Sequence, residues 1–281
     1  MNADDEHIIE AIGKAKVTIK NGKVKEVTEP EIQYCPLFHK HRGIERIDKD
    51  IIKENMEFRI NDFGMCSKDR IIEMKDFLSF GISETLSTLL EESIIDCAVM
   101  VCEGCGTVFV TEKEKAQGIG GRVSALIKTS PIPEIIAKIK EENILNPKTA
   151  EIDQIAGTKL AIKKGYKKIA VTIAKSDDAK KLRELEEENK DKGIAIYIFA
   201  VHTTGINLNE AKELFKYSDV ITSCASKYIR DIGEKKAKLK VGESIPIYAS
   251  TEKGKKFLEK RIAKIGGISP KKDPKQPNPL I

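Results

Sequence analysis

The sequence contains no tryptophan among its 281 residues, and aromatic residues make up only 5% of it. Long hydrophobic runs are missing too, because no apolar segment approaches the roughly 18 residues that a membrane helix needs. The N-terminal segment MNADDEHIIEAIGK is acidic, unlike a secretory signal peptide. These absences predict a protein with no membrane span that stays in the cytoplasm.

A strong excess of charge of one sign is also missing. Forty-nine Lys and Arg residues against 44 Asp and Glu residues give a net charge of +5, with the two signs interleaved along the chain. Nucleic-acid-binding proteins instead cluster basic residues on one face. The composition therefore argues against a nucleic-acid partner, while 40% hydrophobic residues predict a globular protein with a sizeable core.

From about residue 150 the sequence alternates between helical and strand patterns. We predict strands at residues 168–173, 194–201, 219–222 and 245–249, separated by helices at 151–164, 177–190, 208–216, 225–234 and 251–264. Such alternation is typical of parallel βαβ units. We therefore expect an α/β fold in which residues 150–265 form a Rossmann-like region with a parallel sheet.

The N-terminal region, residues 1–149, has mixed patterns, and its strands are expected either to join that sheet or to form a separate one. A hairpin is predicted at residues 16–27, because Asn21-Gly22 suits a type I′ turn between two alternating segments. A helix containing Ile51 and Met56 is expected to end at Gly64, and buried strands are expected at residues 94–101 and 107–110. The tail, residues 266–281, carries four prolines and is expected to be disordered.

Four of the six cysteines suggest a metal centre. Cys102 and Cys105 are separated by two residues in a glycine-containing turn, and Cys35 and Cys66 lie in predicted loops of the same region, with His39 and His41 as substitute ligands. Four thiolates bind zinc or an iron–sulfur cluster. Two other interpretations stay open: buried structural cysteines, or a thiol–disulfide exchange pair.

A glycine-rich segment suggests an anion site. The residues Gly118-Ile119-Gly120-Gly121-Arg122 are predicted to lead into a short helix, where backbone N–H groups and a guanidinium would face an anionic group. The spacing matches neither the ATP-binding P-loop nor the NAD-binding fingerprint. The alternative is a turn that needs glycine only for its backbone geometry.

Two polar segments follow predicted strands. His202 lies in Val201-His202-Thr203-Thr204-Gly205, and Cys224 lies in Ser223-Cys224-Ala225-Ser226. Ligands of open α/β sheets bind at the carboxyl ends of the strands, so both residues are candidate catalytic groups in one crevice. The alternative is helix capping by the hydroxyls with a structural cysteine.

These segments, together with Tyr34-Cys35-Pro36-Leu37-Phe38 and Asp62-Phe63-Gly64-Met65-Cys66, resemble the methanogenesis marker protein 8 family over most of the chain. The resemblance implies an archaeal accessory role in methanogenesis, with a methanogenic enzyme or its maturation machinery as a partner. It implies no reaction and no catalytic residues.

Three functional hypotheses follow from the sequence. The first is an accessory protein that binds a metal or iron–sulfur cluster through Cys35, Cys66, Cys102 and Cys105. The second is an enzyme that acts on an anionic small molecule in a crevice with Arg122 and His202. The third is a structural subunit of a larger assembly.

Overall fold

The computed structural model describes residues 5–75, 80–122, 125–268 and 275–281. Its main feature is a seven-stranded sheet with the strand order β10-β11-β9-β8-β7-β4-β5. The strands are β4 (Cys97–Cys102), β5 (Gly106–Val110), β7 (Lys168–Ile173), β8 (Ala195–Ala200), β9 (Val220–Thr222), β10 (Leu239–Val241) and β11 (Ile247–Ala249).

The pairing of these strands confirms the predicted α/β fold with a parallel sheet. The four strands β4, β7, β8 and β9 are parallel to one another, with Val99 beside Val171 and Val171 beside Ile198. The outer strands β5, β11 and β10 are antiparallel. Because β4 and β5 come from the N-terminal region, both predicted regions contribute to one sheet.

Helices cover both faces of this sheet and bury nearly continuous apolar strands, as expected for parallel sheets. On one face lie α3 (Ile82–Glu91), α4 (Lys113–Gly120) and α10 (Glu252–Lys264), packed against Met100 and Phe199. On the other face, the core around Val171 and Ile198 is covered by α6 (Gln154–Lys163), α7 (Ser176–Glu188), α8 (Leu208–Tyr217) and α9 (Lys227–Lys236).

A second, antiparallel sheet has four strands in the order β3-β2-β1-β6. Strands β2 (Lys16–Lys20) and β3 (Lys23–Val27) form the predicted hairpin, whose turn residues Asn21 and Gly22 have positive φ angles of 50° and 68°. Two further strands were missed by the sequence analysis: β1 (Glu6–Glu10) and β6 (Ala125–Lys128). They pair across more than a hundred residues, which no local pattern reveals.

This smaller sheet packs against α2 (Lys49–Phe63), which begins after Asp48 and ends at Gly64 as predicted. The Asp48 side chain accepts a hydrogen bond from the Ile51 N–H, and Gly64 has a φ of 74°. The other helices are α1 (Pro36–Arg42) and α5 (Pro133–Ile139), both with proline in the first turn, and short 3-10 turns at Ile12–Lys14, Glu141–Asn143 and Lys190–Lys192.

The end of the chain differs from the expected disordered tail. Residues 275–281 lie against the body of the protein, where the Asn278 carbonyl accepts hydrogen bonds from the N–H groups of Gln33 (2.8 Å) and Tyr34 (3.0 Å). The Ile281 N–H donates to the Ala225 carbonyl at 3.0 Å. Backbone pairing of this kind needs no regular apolar pattern. Residues 269–274 lie outside the described residues.

Within the described ranges, no helix is long and apolar enough to cross a membrane.

Candidate functional site

A cleft of about 1520 Å³ lies along the carboxyl edge of the parallel strands. Its floor contains Met100 of β4, Ile173 of β7 and Thr222 of β9, and its opposite wall contains Glu10 and Ile127 of the smaller sheet. This volume exceeds the roughly 300–1,000 Å³ of ordinary small-molecule pockets. The two sheets thus enclose a space large enough for a sizeable ligand.

His202 and Cys224 both line this cleft, where the sequence placed them. The strands that precede them, β8 and β9, are adjacent and parallel, with Phe199 beside Val220 and Ala200 beside Ile221. Their chemical roles stay a prediction.

The backbone at both residues adopts a conformation that side chains disfavour. The φ angle is 54° at His202 and 45° at Cys224, in the left-handed region that glycine prefers. Such conformations cost about 1–3 kcal/mol each and persist where the surrounding structure enforces them, often at functional sites. Both of these residues line the cleft.

The two loops are hydrogen-bonded to each other. The Thr203 hydroxyl donates to the Thr222 carbonyl at 2.6 Å, and the Ala225 N–H donates to the Thr204 hydroxyl at 3.2 Å. The hydroxyl oxygen of Thr222, a residue that lines the cleft, is buried and has no hydrogen-bond partner in the described part of the chain. Unpartnered buried hydroxyls are costly, so this end of the cleft is suited to a polar group of a ligand.

The electrostatics keep both reactive side chains neutral. Burial, followed by the nearby Arg59 guanidinium, lowers the pKa of His202 from 6.5 to about 4. Burial raises the pKa of the Cys224 thiol, although the backbone N–H groups of Thr203 and His202 act in the opposite direction. Near neutral pH His202 is therefore not a cation that could lower the pKa of the Cys224 thiol. A neutral imidazole instead accepts a hydrogen bond or a proton.

Charged residues that the sequence analysis missed also line the cleft. Lys175 lies two residues after β7, and Lys181 lies further along α7; both side chains are exposed, and among the described residues neither forms an ion pair. Asp178, between them on the same helix, also lines the cleft and interacts with both lysine charges. Buried Glu84 on α3 accepts hydrogen bonds from Ser83 (2.9 Å) and Gln117 (3.1 Å). The strand-end rule that selected His202 would also have selected Lys175.

The glycine-rich segment has a different geometry from the one predicted. Gly118 and Gly120 are the final residues of α4, and the helix expected after Arg122 is wrong because residues 125–128 form β6. A helix end presents carbonyl oxygens, not N–H groups. The Gly118 and Ile119 carbonyls accept hydrogen bonds from buried Arg70 at 3.3 and 3.4 Å.

The glycines also permit close packing of the segment. A Cβ atom at Gly118 would lie 2.2 Å from the Ile72 carbonyl oxygen, and one at Gly120 would lie 2.9 Å from the Ser83 Cβ. The alternative of a turn that needs glycine for its backbone geometry is not supported either, because none of these glycines has a positive φ; close packing is what requires them. The argument for anion binding at this segment, which was an array of N–H groups at the start of a helix, no longer applies.

Arg122 does not line the cleft. Its guanidinium lies over the Phe63 ring, 4.9 Å from the ring centre, and its carbonyl accepts a hydrogen bond from Arg59. The guanidinium of Arg70 approaches the same ring at 5.0 Å. The predicted crevice that combines Arg122 with His202 is therefore not formed: the cleft contains His202 but not Arg122.

The Cys102–Cys105 turn is sealed inside the protein. Both cysteines are fully buried, and a hydrogen bond with Cys105, together with burial, raises the pKa of the Cys102 thiol. Glu103, between them, forms a fully buried ion pair with Arg70 (3.2 Å), and its other oxygen has no partner among the described residues. The Gly104 N–H donates to Thr129 at 2.8 Å.

The predicted four-cysteine centre is not assembled in this structure. Cys66 and Cys102 both lie near the Arg70–Glu103 pair, whereas Cys35 lies near Cys224 and affects its pKa. Among the residues that the structure describes, no three His, Cys, Asp or Glu side chains are grouped to hold a metal ion. Cys102 and Cys105 supply two adjacent thiols, half of a tetrahedral site. Metal or cluster binding stays a prediction.

Comparison with known proteins gives a family and one close relative. Residues 7–263 match the family model described as "Uncharacterized protein conserved in archaea (DUF2099)". The chain is 46% identical over 286 residues to "Uncharacterized protein MJ0054" of Methanocaldococcus jannaschii, an alignment that covers 99% of this chain and 100% of the relative. No solved structure matches.

Proposed function

This chain belongs to the archaeal family DUF2099, and we propose that it is an enzyme acting on an anionic small molecule bound in the cleft. The observation that carries the proposal is the convergence of His202 and Cys224, both in strained left-handed conformations, on one large cleft at the ends of parallel strands. This edge is where open α/β sheets bind their ligands.

Each residue has a role in this proposal. Lys175 and Lys181 attract the anionic group at the β7 side of the cleft. The unpartnered hydroxyl of Thr222 binds a polar group nearer to β9. His202, neutral at physiological pH, accepts a proton or hydrogen bond from the ligand, and the Cys224 thiol faces the reacting part.

Two reagents of similar size test this arrangement at Cys224. Iodoacetate is anionic and iodoacetamide is neutral, and both alkylate a thiol by forming an S–C bond with loss of iodide. Each rate is measured at Cys224 by peptide mass spectrometry at low ionic strength and divided by the rate with free N-acetylcysteine. Because β7 and β9 are about 10 Å apart across two strand spacings, the lysine charges reach Cys224 when salt is low. We expect the normalised ratio of iodoacetate to iodoacetamide to exceed one.

Matched lysine variants locate the effect. Lys175→Met and Lys181→Met should each lower the ratio, whereas Lys180→Met, an exposed lysine of the same helix outside the cleft, should leave it unchanged. A ratio that responds equally to all three variants would show only a diffuse charge effect and contradict the anion site. A Cys224 that neither reagent modifies would contradict its place in an open active site.

A metal- or cluster-binding accessory protein is the second candidate, and the adjacent thiols of Cys102 and Cys105 are the observation that favours it. Iron, sulfide and zinc analysis of protein purified without oxygen is its direct test. A role in methanogenesis is part of either proposal, and the resemblance to the methanogenesis marker protein 8 family supports it.

A further inference from the structure

Exposed hydrophobic side chains are concentrated at the mouth of the cleft. Leu37 of α1 is 43% exposed, Ile127 of β6 is 47% exposed and Ile268 is 40% exposed, and all three line the cleft. They are half of the six large hydrophobic residues that are exposed in the described part of the chain. Large apolar side chains gathered at one exposed place indicate a binding surface, whereas scattered ones do not.

The apolar lining continues inward and is almost entirely aliphatic. Leu86, Met100 and Ile247 line the interior and are buried, and Phe80 is the single aromatic residue among the described residues of the lining. Flat aromatic ligands are usually held by aromatic side chains. Branched aliphatic walls instead suit a flexible hydrocarbon chain.

The cleft is also long. It follows the sheet edge from Met100 of β4 to Val241 of β10, past the ends of β7, β8, β9 and β11. Five strand spacings of about 4.8 Å make this distance roughly 24 Å. An elongated ligand can therefore place an anionic head and an apolar chain in different parts of the cleft.

We propose that the ligand of this cleft is amphipathic and carries an aliphatic chain, which lies between the mouth residues Leu37 and Ile127 and the inner residues Met100 and Ile247. This inference rests on the proposed function and adds the class of substrate to it. The aliphatic chain of the ligand would bury the exposed apolar surface, and its anionic head would remain with the lysines and hydroxyls at the strand ends.

Two maleimides that differ only in chain length test the inference. N-Ethylmaleimide and N-octylmaleimide share one electrophile: the thiol adds across its C=C bond, an S–C bond forms and the thiol proton goes to the neighbouring carbon. Rates at Cys224 are again divided by those of N-acetylcysteine. We expect the octyl reagent to be favoured by about tenfold or more, because complete burial of two of its six additional methylenes suffices for that factor.

Variants at exposed positions test where the aliphatic chain lies. These positions bury little surface, so the substitutions should leave the fold intact. Leu37→Asp and Ile127→Asp should each bring the octyl preference at Cys224 towards one. Leu208→Asp is the matched control, because Leu208 is 42% exposed but lies outside the cleft, and it should keep the wild-type preference.

The outcomes separate this inference from the proposed function. If N-ethylmaleimide fails to modify Cys224, the proposed active site is wrong. If N-ethylmaleimide modifies Cys224 but the octyl reagent is not preferred, the proposed active site is retained and the proposal of an aliphatic ligand chain is wrong. An octyl preference that survives both Leu37→Asp and Ile127→Asp would overturn the proposed path of the chain.

Discussion

Two polar regions of the molecule differ in whether their side chains are accessible. In the Cys102–Cys105 turn, Glu103 pairs with Arg70, Gly104 donates to Thr129, and the thiols are fully buried. At the ends of β8 and β9, by contrast, His202 and Cys224 are partly exposed and line the cleft. The first region is closed and the second is open.

The difference shows that a conspicuous sequence motif need not lie at an accessible place in the structure. The spacing of Cys102 and Cys105 gives the strongest pattern in the sequence, yet the turn it forms is inaccessible to solvent. The loops after β8 and β9 have weaker patterns but hold strained residues in accessible space. Substitutions in the closed region should therefore affect stability, and those in the open region should affect ligand binding.

The largest effect is expected from Arg70→Met, in the closed region. It leaves the Glu103 carboxylate buried without its counter-charge, which typically costs about 3–5 kcal/mol of unfolding free energy. Urea denaturation measures the loss, and the double variant Arg70→Met/Glu103→Gln should recover part of it. Lys175→Met, on the exposed rim of the cleft, should change stability by less than about 0.5 kcal/mol. Similar losses in the two single variants would refute the distinction between the regions.

An intermediate effect is expected from the pH dependence of stability at His202. Its pKa is about 4 in the folded protein against 6.5 for the ordinary side chain, so the unfolded chain binds more protons between these values. Stability is unaffected above pH 6.5 and falls as the pH drops through this window. At pH 5 the loss from His202 alone is about 2 kcal/mol.

The variant His202→Asn isolates this contribution, because asparagine tolerates a left-handed backbone and does not titrate. The loss of unfolding free energy between pH 7.5 and pH 5 should be about 2 kcal/mol smaller in the variant than in the wild type. Buried His7, whose pKa burial also lowers, acts in the same direction in both proteins and cancels. Equal pH profiles would show that His202 is not desolvated in the cleft.

The smallest effect is expected from relief of backbone strain. Glycine at position 202 or 224 removes the left-handed penalty of about 1–2 kcal/mol but costs roughly 0.5–1 kcal/mol of chain entropy, so each variant should gain about 0.5–1 kcal/mol at pH 7.5. Ser93→Gly is the control, because Ser93 is exposed with a φ of 54° and lies outside the cleft. Loss of stability in the two cleft variants, with a gain at Ser93, would indicate that these side chains stabilise the fold.

Local signals in the sequence were sufficient for most of the individual elements. The strand at Lys168–Ile173 has the predicted bounds, and α2 ends at Gly64 because its left-handed conformation suits glycine. The glycines near Arg122 were misread, because glycine at a helix end and glycine before a helix look alike without the neighbouring chain. Only the carbonyls facing Arg70 and the close approach to Ile72 distinguish the two.

The sequence by itself determined the class of fold and the sheet edge at which the cleft lies, because strand periodicity and the order of elements are local properties of the chain. It thereby placed His202 and Cys224 after parallel strands. Only the tertiary structure decided that β1 pairs with β6, that the smaller sheet closes the cleft, and that Arg70 neutralises Glu103. Those contacts join residues far apart in the chain, and their energy comes from burial and charge pairing that exist only after folding.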